Sequence, residues 1–420
     1  MSRRLVATSS GLALAADVAA KVGLLLVTVV AARTLPAGEL AQLGTVLAAA
    51  GIVAVLLDAG AGVLITRDGA RDRAVGSGLL TALSAARVPV AAVLLAATAV
   101  AGSAAGEPML WLAAVLLGIL GAASVSLIGL FRSGQDMRPE ARQKILFAAL
   151  AVAGTVVVVA SPTAEALAVM LVVATAASLA PLAGRVLPLL RDRRPARPRT
   201  ALRRALPLGL LAMATVVYYR SGTVALAVLS TPDETATFTV AATIGFGLLL
   251  LPNALTTGLL PHLAAHRGGV ATGTTRWAMR WSLVLSVPIA VLAAVAGYLL
   301  LGPVFGAQYA GAAAPLALLC GSVCLVACSG ILGTALIAAG HVTAVAVQVA
   351  CSLAVNIAAL ALLVPRYGAT GAATATLLCE AVAVVILVAT ARRALPGFGI
   401  LSRRAHGPAL VGHRQPTFEG

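Results

Sequence analysis

Charge is the scarcest property of this chain. Only 10% of its 420 residues are charged against 60% hydrophobic, and mean hydropathy is +1.01. A soluble globular domain carries roughly 25% charged and about 45–50% apolar residues, so that class is excluded. Disorder is excluded by the same figures, because a disordered chain is poor in apolar residues and rich in charge. Aromatic residues make up 4%, which disfavours the ring-lined pockets that receive apolar drugs and slightly favours a polar, anionic cargo. The five cysteines are odd in number and sit inside apolar runs, so they form no disulfide framework. Cys320, Cys324 and Cys328 share a helix face, where packing as small apolar groups is expected rather than a metal site. The sequence has no Gly-rich phosphate loop ending in Gly-Lys-Ser/Thr and no metal-spaced histidine pair. No catalytic residue, metal or cofactor is therefore expected.

What the chain does have is long apolar runs. A spanning helix needs about 20 mainly apolar residues, and turns or charges interrupt this sequence at that interval. The pattern predicts an all-α polytopic membrane protein of about twelve transmembrane helices. They are expected near 11–32, 41–65, 76–102, 109–131, 145–161, 165–190, 205–230, 236–262, 278–302, 312–338, 342–364 and 368–390. The runs are too continuous for a β-barrel, whose alternating segments span about ten residues. The first is too long for the core of a cleavable signal peptide.

Charge placement tests that count. If both termini are cytoplasmic, the cytoplasmic segments hold 25 of the 30 Lys and Arg residues. The outer loops keep Arg33 and Arg366 beside Glu39, Glu107, Glu165, Asp233 and Glu234. This is the positive-inside asymmetry, and it predicts a multi-pass protein of the inner (cytoplasmic) membrane with both ends inside. The net charge of +16 is thus explained by orientation and by attraction to anionic membrane lipids, and nucleic acid is not expected as a partner.

The densest basic run, Arg191 through Arg199, reads as a midpoint linker. It divides an N-terminal six-helix lobe (1–190) from a C-terminal one (205–390), with a basic linker at 191–204 and a basic cytoplasmic tail at 391–420. Helix 1 ends in Arg33-Thr34-Leu35-Pro36-Ala37-Gly38-Glu39, and helix 7 in Leu229-Ser230-Thr231-Pro232-Asp233-Glu234. Each half thus places a proline and an acid in a tight external turn. Six helices per half is even, so the repeat would be parallel, with a pseudo-two-fold along the membrane normal and a cleft between lobes.

Ionisable residues inside the spans are costly, at about 2.5–3.5 kcal/mol each at the bilayer centre. Those residues are Asp17, Lys21, Asp58, Arg87, Arg220 and Glu380. Asp17 and Lys21 stand at i, i+4, which suits either an internal salt bridge or a cavity wall. Arg220 follows Tyr218 and Tyr219 with no acid within one turn. Its planar donors suit a bidentate phosphate contact and the tyrosines suit sugar faces; pairing with Glu380 is the alternative. Arg87 is read as a phosphate ligand or a snorkelling cation. Asp58 and Glu380, with Asp17, are candidates for ion coupling, since a desolvated carboxylate loads and releases protons near neutrality. Asp58 precedes Ala59-Gly60-Ala61-Gly62 and could equally stabilise a helix break.

Three stretches carry a family resemblance. Ala32-Arg33-Thr34-Leu35-Pro36-Ala37-Gly38-Glu39, leading to Leu56-Leu57-Asp58-Ala59-Gly60, resembles the opening of polysaccharide-transporter flippases. These belong to the multidrug/oligosaccharidyl-lipid/polysaccharide exporter superfamily. Gly302-Pro303-Val304-Phe305-Gly306-Ala307-Gln308-Tyr309 resembles a second segment of that family. Val355-Asn356-Ile357, followed by Val364-Pro365-Arg366-Tyr367-Gly368-Ala369-Thr370-Gly371-Ala372-Ala373, resembles the third and most specific. The resemblance implies a flippase of lipid-linked sugars working by alternating access, with a polyprenyl-diphosphate-linked glycan as substrate. It implies a polysaccharide polymerase and glycosyltransferases as partners. A proton or sodium gradient, or the membrane potential, would drive it. Two other readings stay open: a cation-coupled drug or metabolite antiporter, and a non-transporting envelope-assembly scaffold.

Overall fold

The computed structural model describes residues 3–160, 162–250, 252 and 269–394. The end of the eighth expected helix and the tail from 395 onward lie outside them. Among the described residues every regular element is a helix. They are α1 (Arg3–Thr34), α2 (Ala37–Asp58), α3 (Ala61–Gly69), α4 (Arg73–Ala105), α5 (Pro108–Ser133), α6 (Arg138–Val158) and α7 (Ala164–Val186). The second half holds α8 (Pro198–Leu229), α9 (Pro232–Gly247), α10 (Gly269–Phe305), α11 (Ala313–Ala338) and α12 (Val342–Ala394). Among the described residues, ten stretches are long and apolar enough to cross a membrane.

The last of these stretches is two arms. Gly368, at φ 51° and ψ −130°, interrupts the helical backbone of α12. The Cys379 thiol donates to the Ser352 carbonyl at 2.9 Å, so the arms 342–367 and 369–394 lie side by side as a hairpin. The expected separate helices at 342–364 and 368–390 are these arms. The expected helix at 41–65 is instead broken at Ala59 and Gly60, both left-handed, at φ 46° and 83°. Helix formation in α8 starts at Pro198, inside the expected linker, because proline suits the first helical turn, where no amide donor is needed.

Small residues set the packing. A Cβ on Gly118 would meet Val53, and one on Gly154 would meet Met170, so neighbouring backbones approach closely where lipid offers no hydrophobic drive to associate. α10 carries the membrane-facing surface most plainly. Trp277, Trp281, Val284, Leu292 and Tyr298 are all exposed along it. Seventeen residues separate Trp281 from Tyr298, about 26 Å of helix, close to the roughly 30 Å hydrocarbon thickness that interfacial aromatics bracket.

The acids of the two Pro-acid turns do the same work. Glu39 accepts from the Ala164 amide at 2.7 Å, at the start of α7. Glu234 accepts from the Ala369 amide at 2.6 Å, at the start of the second arm of α12. Each carboxylate satisfies an orphan amide at a helix N-terminus, where negative charge is favoured.

The break between α2 and α3 packs against α8: a side chain on Gly60 would run into the Ala205 carbonyl and the Gly209 backbone. Gly60→Ala should therefore combine left-handed strain of about 1–2 kcal/mol with that clash. A thermal melt of the purified protein in detergent is expected to show a midpoint several degrees lower, and an unchanged midpoint would contradict the packing described.

Candidate functional site

The ionisable residues of the spans separate into ion-paired groups, a carboxylate held by hydroxyls, and two cations with no ion-pair partner among the described residues. Asp58 ends α2 within hydrogen-bonding reach of Arg87 in α4. Arg87 Nη2 lies 3.0 Å from Asp58 Oδ1 and 3.0 Å from the Asp58 carbonyl, while Nη1 donates to Ser126 Oγ at 2.8 Å. The Gly62 amide donates to the same carboxylate at 3.2 Å. The arginine thus closes the end of α2 left open by the break, and both side chains are largely buried. Each was a separate candidate in the sequence; the structure brings them together as partners.

Asp17 also has a partner, though not its helix neighbour Lys21. Lys144 Nζ bridges Asp17 Oδ1 at 2.5 Å and Glu140 Oε1 at 2.6 Å, and Arg132 grips Glu140 through two nitrogens at 2.8 and 2.6 Å. Two acids and two cations form a neutral chain linking α1, α6 and the end of α5. Arg132 and Lys144 are among the 25 cations that the charge count assigns to the cytoplasmic segments; the i, i+4 spacing of Glu140 and Lys144 is the sequence signal for this chain of charges.

Glu380 is buried in the second arm of α12. Tyr219 Oη donates to its Oε1 at 3.3 Å and Ser329 Oγ to its Oε2 at 3.4 Å. Tyr218 Oη donates to the Thr376 carbonyl at 3.2 Å. The two tyrosine rings pack on each other with centroids 4.7 Å apart, and Tyr219 meets Phe246 edge-on at 5.5 Å. Hydroxyls, not a guanidinium, surround this carboxylate, and the tyrosines brace it. On the same face of α8, Ser221 accepts from the buried Asn356 at 2.6 Å, so polar side chains tie α8 to both arms of α12.

That leaves Lys21 and Arg220. Among the described residues neither has an ion-pair partner. Arg220 turns away from Glu380 and lies along α2, where Gly51 makes room: a Cβ there would stand 2.9 Å from Arg220 Nε. Lys21 is exposed on the protein surface and close enough to Arg220 for the two charges to act on each other. Counted from the helix ends at Thr34 and Leu229, they lie about 20 and 14 Å deep, near mid-membrane. One comes from the first half of the chain and one from the second.

The halves meet at both ends, first at the one opposite the arginine-rich segments. Arg33 Nε donates to the Val304 carbonyl at 2.8 Å and its Nη2 to that of Pro303, while Gln308 donates to the Ala32 carbonyl at 3.4 Å. Gly44 of α2 lies against Thr239 of α9 with no room for a side chain. At the arginine-rich end, the segment before α8 is fastened to the first half. Arg194 pairs with Asp72 at 2.9 Å and its amide donates to the Ala74 carbonyl at 3.0 Å. Asp68 takes both Arg67 and Arg204.

This arrangement, a bundle of long apolar helices with ion pairs inside the spans and a few charges that have no ion-pair partner among the described residues, is that of a multi-pass membrane protein, and comparison places it. The chain covers 93% of itself and 95% of the MATE multidrug transporter DinF-BH, solved as a complex, at 13% identity and TM-score 0.69. Against the lipid II flippase MurJ in an inward closed conformation the values are 92%, 86%, 11% and 0.66. Against a mutant of the Vibrio cholerae MATE transporter VcmN they are 93%, 97%, 16% and 0.63. The fold is therefore the one these transporters share. No curated protein matches the chain. The sequence profile of the polysaccharide biosynthesis protein family matches residues 9–266, and the chain belongs to that family.

Outside the spans, Asp68 gives a pH signature. Burial pushes its carboxyl up, but the hydrogen bond from Arg67 and the charges of Arg204 and Arg67 outweigh it and hold it below the ordinary carboxylate range. A depressed acid contributes stability above its unfolded pKa and loses it as pH falls through the folded value. Asp68→Asn should therefore lower the melting midpoint at pH 7, and the loss should shrink as pH falls below the ordinary carboxylate range; a loss that does not change with pH would rule the ion pairs out as the cause.

Proposed function

We propose that this protein moves a lipid-linked saccharide, carried on a polyprenyl diphosphate, across the cytoplasmic membrane toward the outer face by alternating access. The observation that carries the reading is that Lys21 and Arg220, close to each other and deep in their helices, have no ion-pair partner among the described residues. A mid-membrane cation without an acid is costly, and a diphosphate is the chemistry that would neutralise two of them at once. Arg220 offers the planar donor fork that suits phosphate oxygens, and Lys21 adds a mobile point charge from the opposing half. The polyprenyl tail stays in lipid while the polar head crosses between the halves. No covalent bond changes, so the work is binding and release, and no enzymatic step is required of the chain.

The contacts of Arg33, Gln308 and Gly44 join the halves at the outer end, and Arg204 on Asp68 with Gly60 against Gly209 joins them at the arginine-rich end, the cytoplasmic one under the positive-inside rule; alternating access requires these two sets to part in turn. Membership of the polysaccharide biosynthesis protein family and the fold shared with a lipid II flippase support the same substrate class. Glu380, held by hydroxyl donors with no cation, is the group best suited to bind a coupling ion, and Asp58 and Asp17, already neutralised by Arg87 and Lys144, are less so. Glycosyltransferases and a polymerase would act before and after the transfer.

A MATE-type cation antiporter is the competing reading, since several structures of this fold are multidrug transporters. A cationic cargo is disfavoured beside two cations that have no ion-pair partner among the described residues.

In proteoliposomes with a fluorescent short-chain polyprenyl-diphosphate sugar, protection from an impermeant quencher reports transfer. Arg220→Ala is expected to cut transfer by about 10- to 100-fold, the worth of a charge-assisted hydrogen bond, with insertion intact. Arg220→Lys should restore part of it. Unchanged transfer in Arg220→Ala would remove the residue from the site, and no transfer by the unaltered protein would favour the antiporter.

A further inference from the structure

A cavity lies away from the cationic pair, at the end of the molecule opposite the arginine-rich face. Its volume is about 380 Å³, within the range that receives small ligands. Helix ends wall it. Gln42 and Thr45 come from the first turns of α2, Glu107 and Trp111 from the start of α5, Ser230 from the end of α8, and Thr235 from the start of α9. Both halves of the chain therefore contribute, and the cavity must change width if they rock.

The chemistry of the lining is selective. Gln42 Nε2 donates to Glu107 Oε1, which leaves Gln42 Oε1 and Glu107 Oε2 without a partner among the described residues. Thr45 and Thr235 each donate their hydroxyl hydrogen to the backbone of their own helix, so toward the cavity they offer acceptor lone pairs. The result is a surplus of acceptors facing a space that also contains an indole ring. Apolar chains would leave those acceptors unpaired, which is unfavourable. A ligand rich in hydroxyl donors, with an apolar C–H face to lay on the indole, satisfies both. That is a saccharide. The Glu107 carboxylate further favours neutral or amino sugars and repels uronates.

We propose that this cavity is an outer saccharide subsite, which holds the sugar portion of the cargo at the outer mouth, with Trp111 as the stacking platform and Gln42 and Glu107 as the polar clamp. The proposal rests on the reading that the cargo carries a glycan, but it concerns separate residues.

The three tryptophans of the chain are Trp111, Trp277 and Trp281, and the last two are exposed on α10. Changing both to Phe leaves Trp111 as the sole indole reporter in full-length protein in lipid nanodiscs. Maltose and chitobiose should then shift its emission saturably and protect it from acrylamide, with Kd on the order of 1–10 mM for so few contacts. A uronate-containing disaccharide should do neither. Gln42→Ala and Glu107→Gln, if still monodisperse, should weaken the effect at least several-fold. No saturable change with either sugar overturns the subsite, as does quenching of Trp111 by brominated acyl chains that neither sugar relieves, which would make the occupant a lipid tail. Equal binding of the uronate overturns the role of Glu107. Transfer without any sugar effect at Trp111 sinks the outer subsite alone, while a sugar effect without transfer sinks the flippase reading alone.

Discussion

The structure depends on how charge is settled in a medium that does not solvate it. An isolated ion in the hydrocarbon layer costs several kcal/mol or draws in water and partners, so each one must be placed. Three acids in or beside the spans take cations: Asp17 with Lys144, Glu140 with Lys144 and Arg132, and Asp58 with Arg87. These pairs also fix helices relative to one another, binding α1 to α6, and α2 to α4 at the point where α2 breaks. Against that background the exceptions are informative: Glu380 meets only hydroxyl donors, and Lys21 and Arg220 have no ion-pair partner among the described residues. The halves that carry them are joined at one end by backbone carbonyls gripped by Arg33 and by the close approach of Gly44 to Thr239.

Glycine decides where the long helices stop being straight. Gly60 and Gly368 occupy left-handed backbone, which a side chain adopts only at a cost. At Gly60 the break lets α2 end on Asp58, so that the carboxylate can meet both Arg87 and the Gly62 amide. At Gly368 the reversal presents the Ala369 amide to Glu234, as the α7 start presents the Ala164 amide to Glu39. The same turn chemistry, a proline followed by an acid, thus performs the same capping at corresponding places in the two halves, which favours the parallel repeat expected from the sequence.

Much of the fold was legible because the bilayer writes its demands in composition. Runs of about 20 apolar residues, punctuated by charge, mark helices whatever their neighbours do. The hairpin at Gly368 could be read from Pro365-Arg366-Tyr367-Gly368. The break at Gly60 could be suspected from Asp58-Ala59-Gly60 but not settled, since glycine also sits in straight membrane helices. The start of α8 was misplaced because Pro198 and the neighbouring arginines look like linker, while proline is also a good first helical residue.

Residue order alone identifies which side chains are expensive: six ionisable groups inside spans, each needing an explanation. Who neutralises whom is beyond it, because pairing depends on which helix faces which, and residues 127 positions apart, Asp17 and Lys144, are invisible to each other along the chain. The local i, i+4 rule pointed Asp17 to Lys21; tertiary packing gave it to Lys144 and left Lys21 facing Arg220. Spacing along one helix is fixed by the backbone, whereas electrostatic balance is fixed only when all the helices are in place.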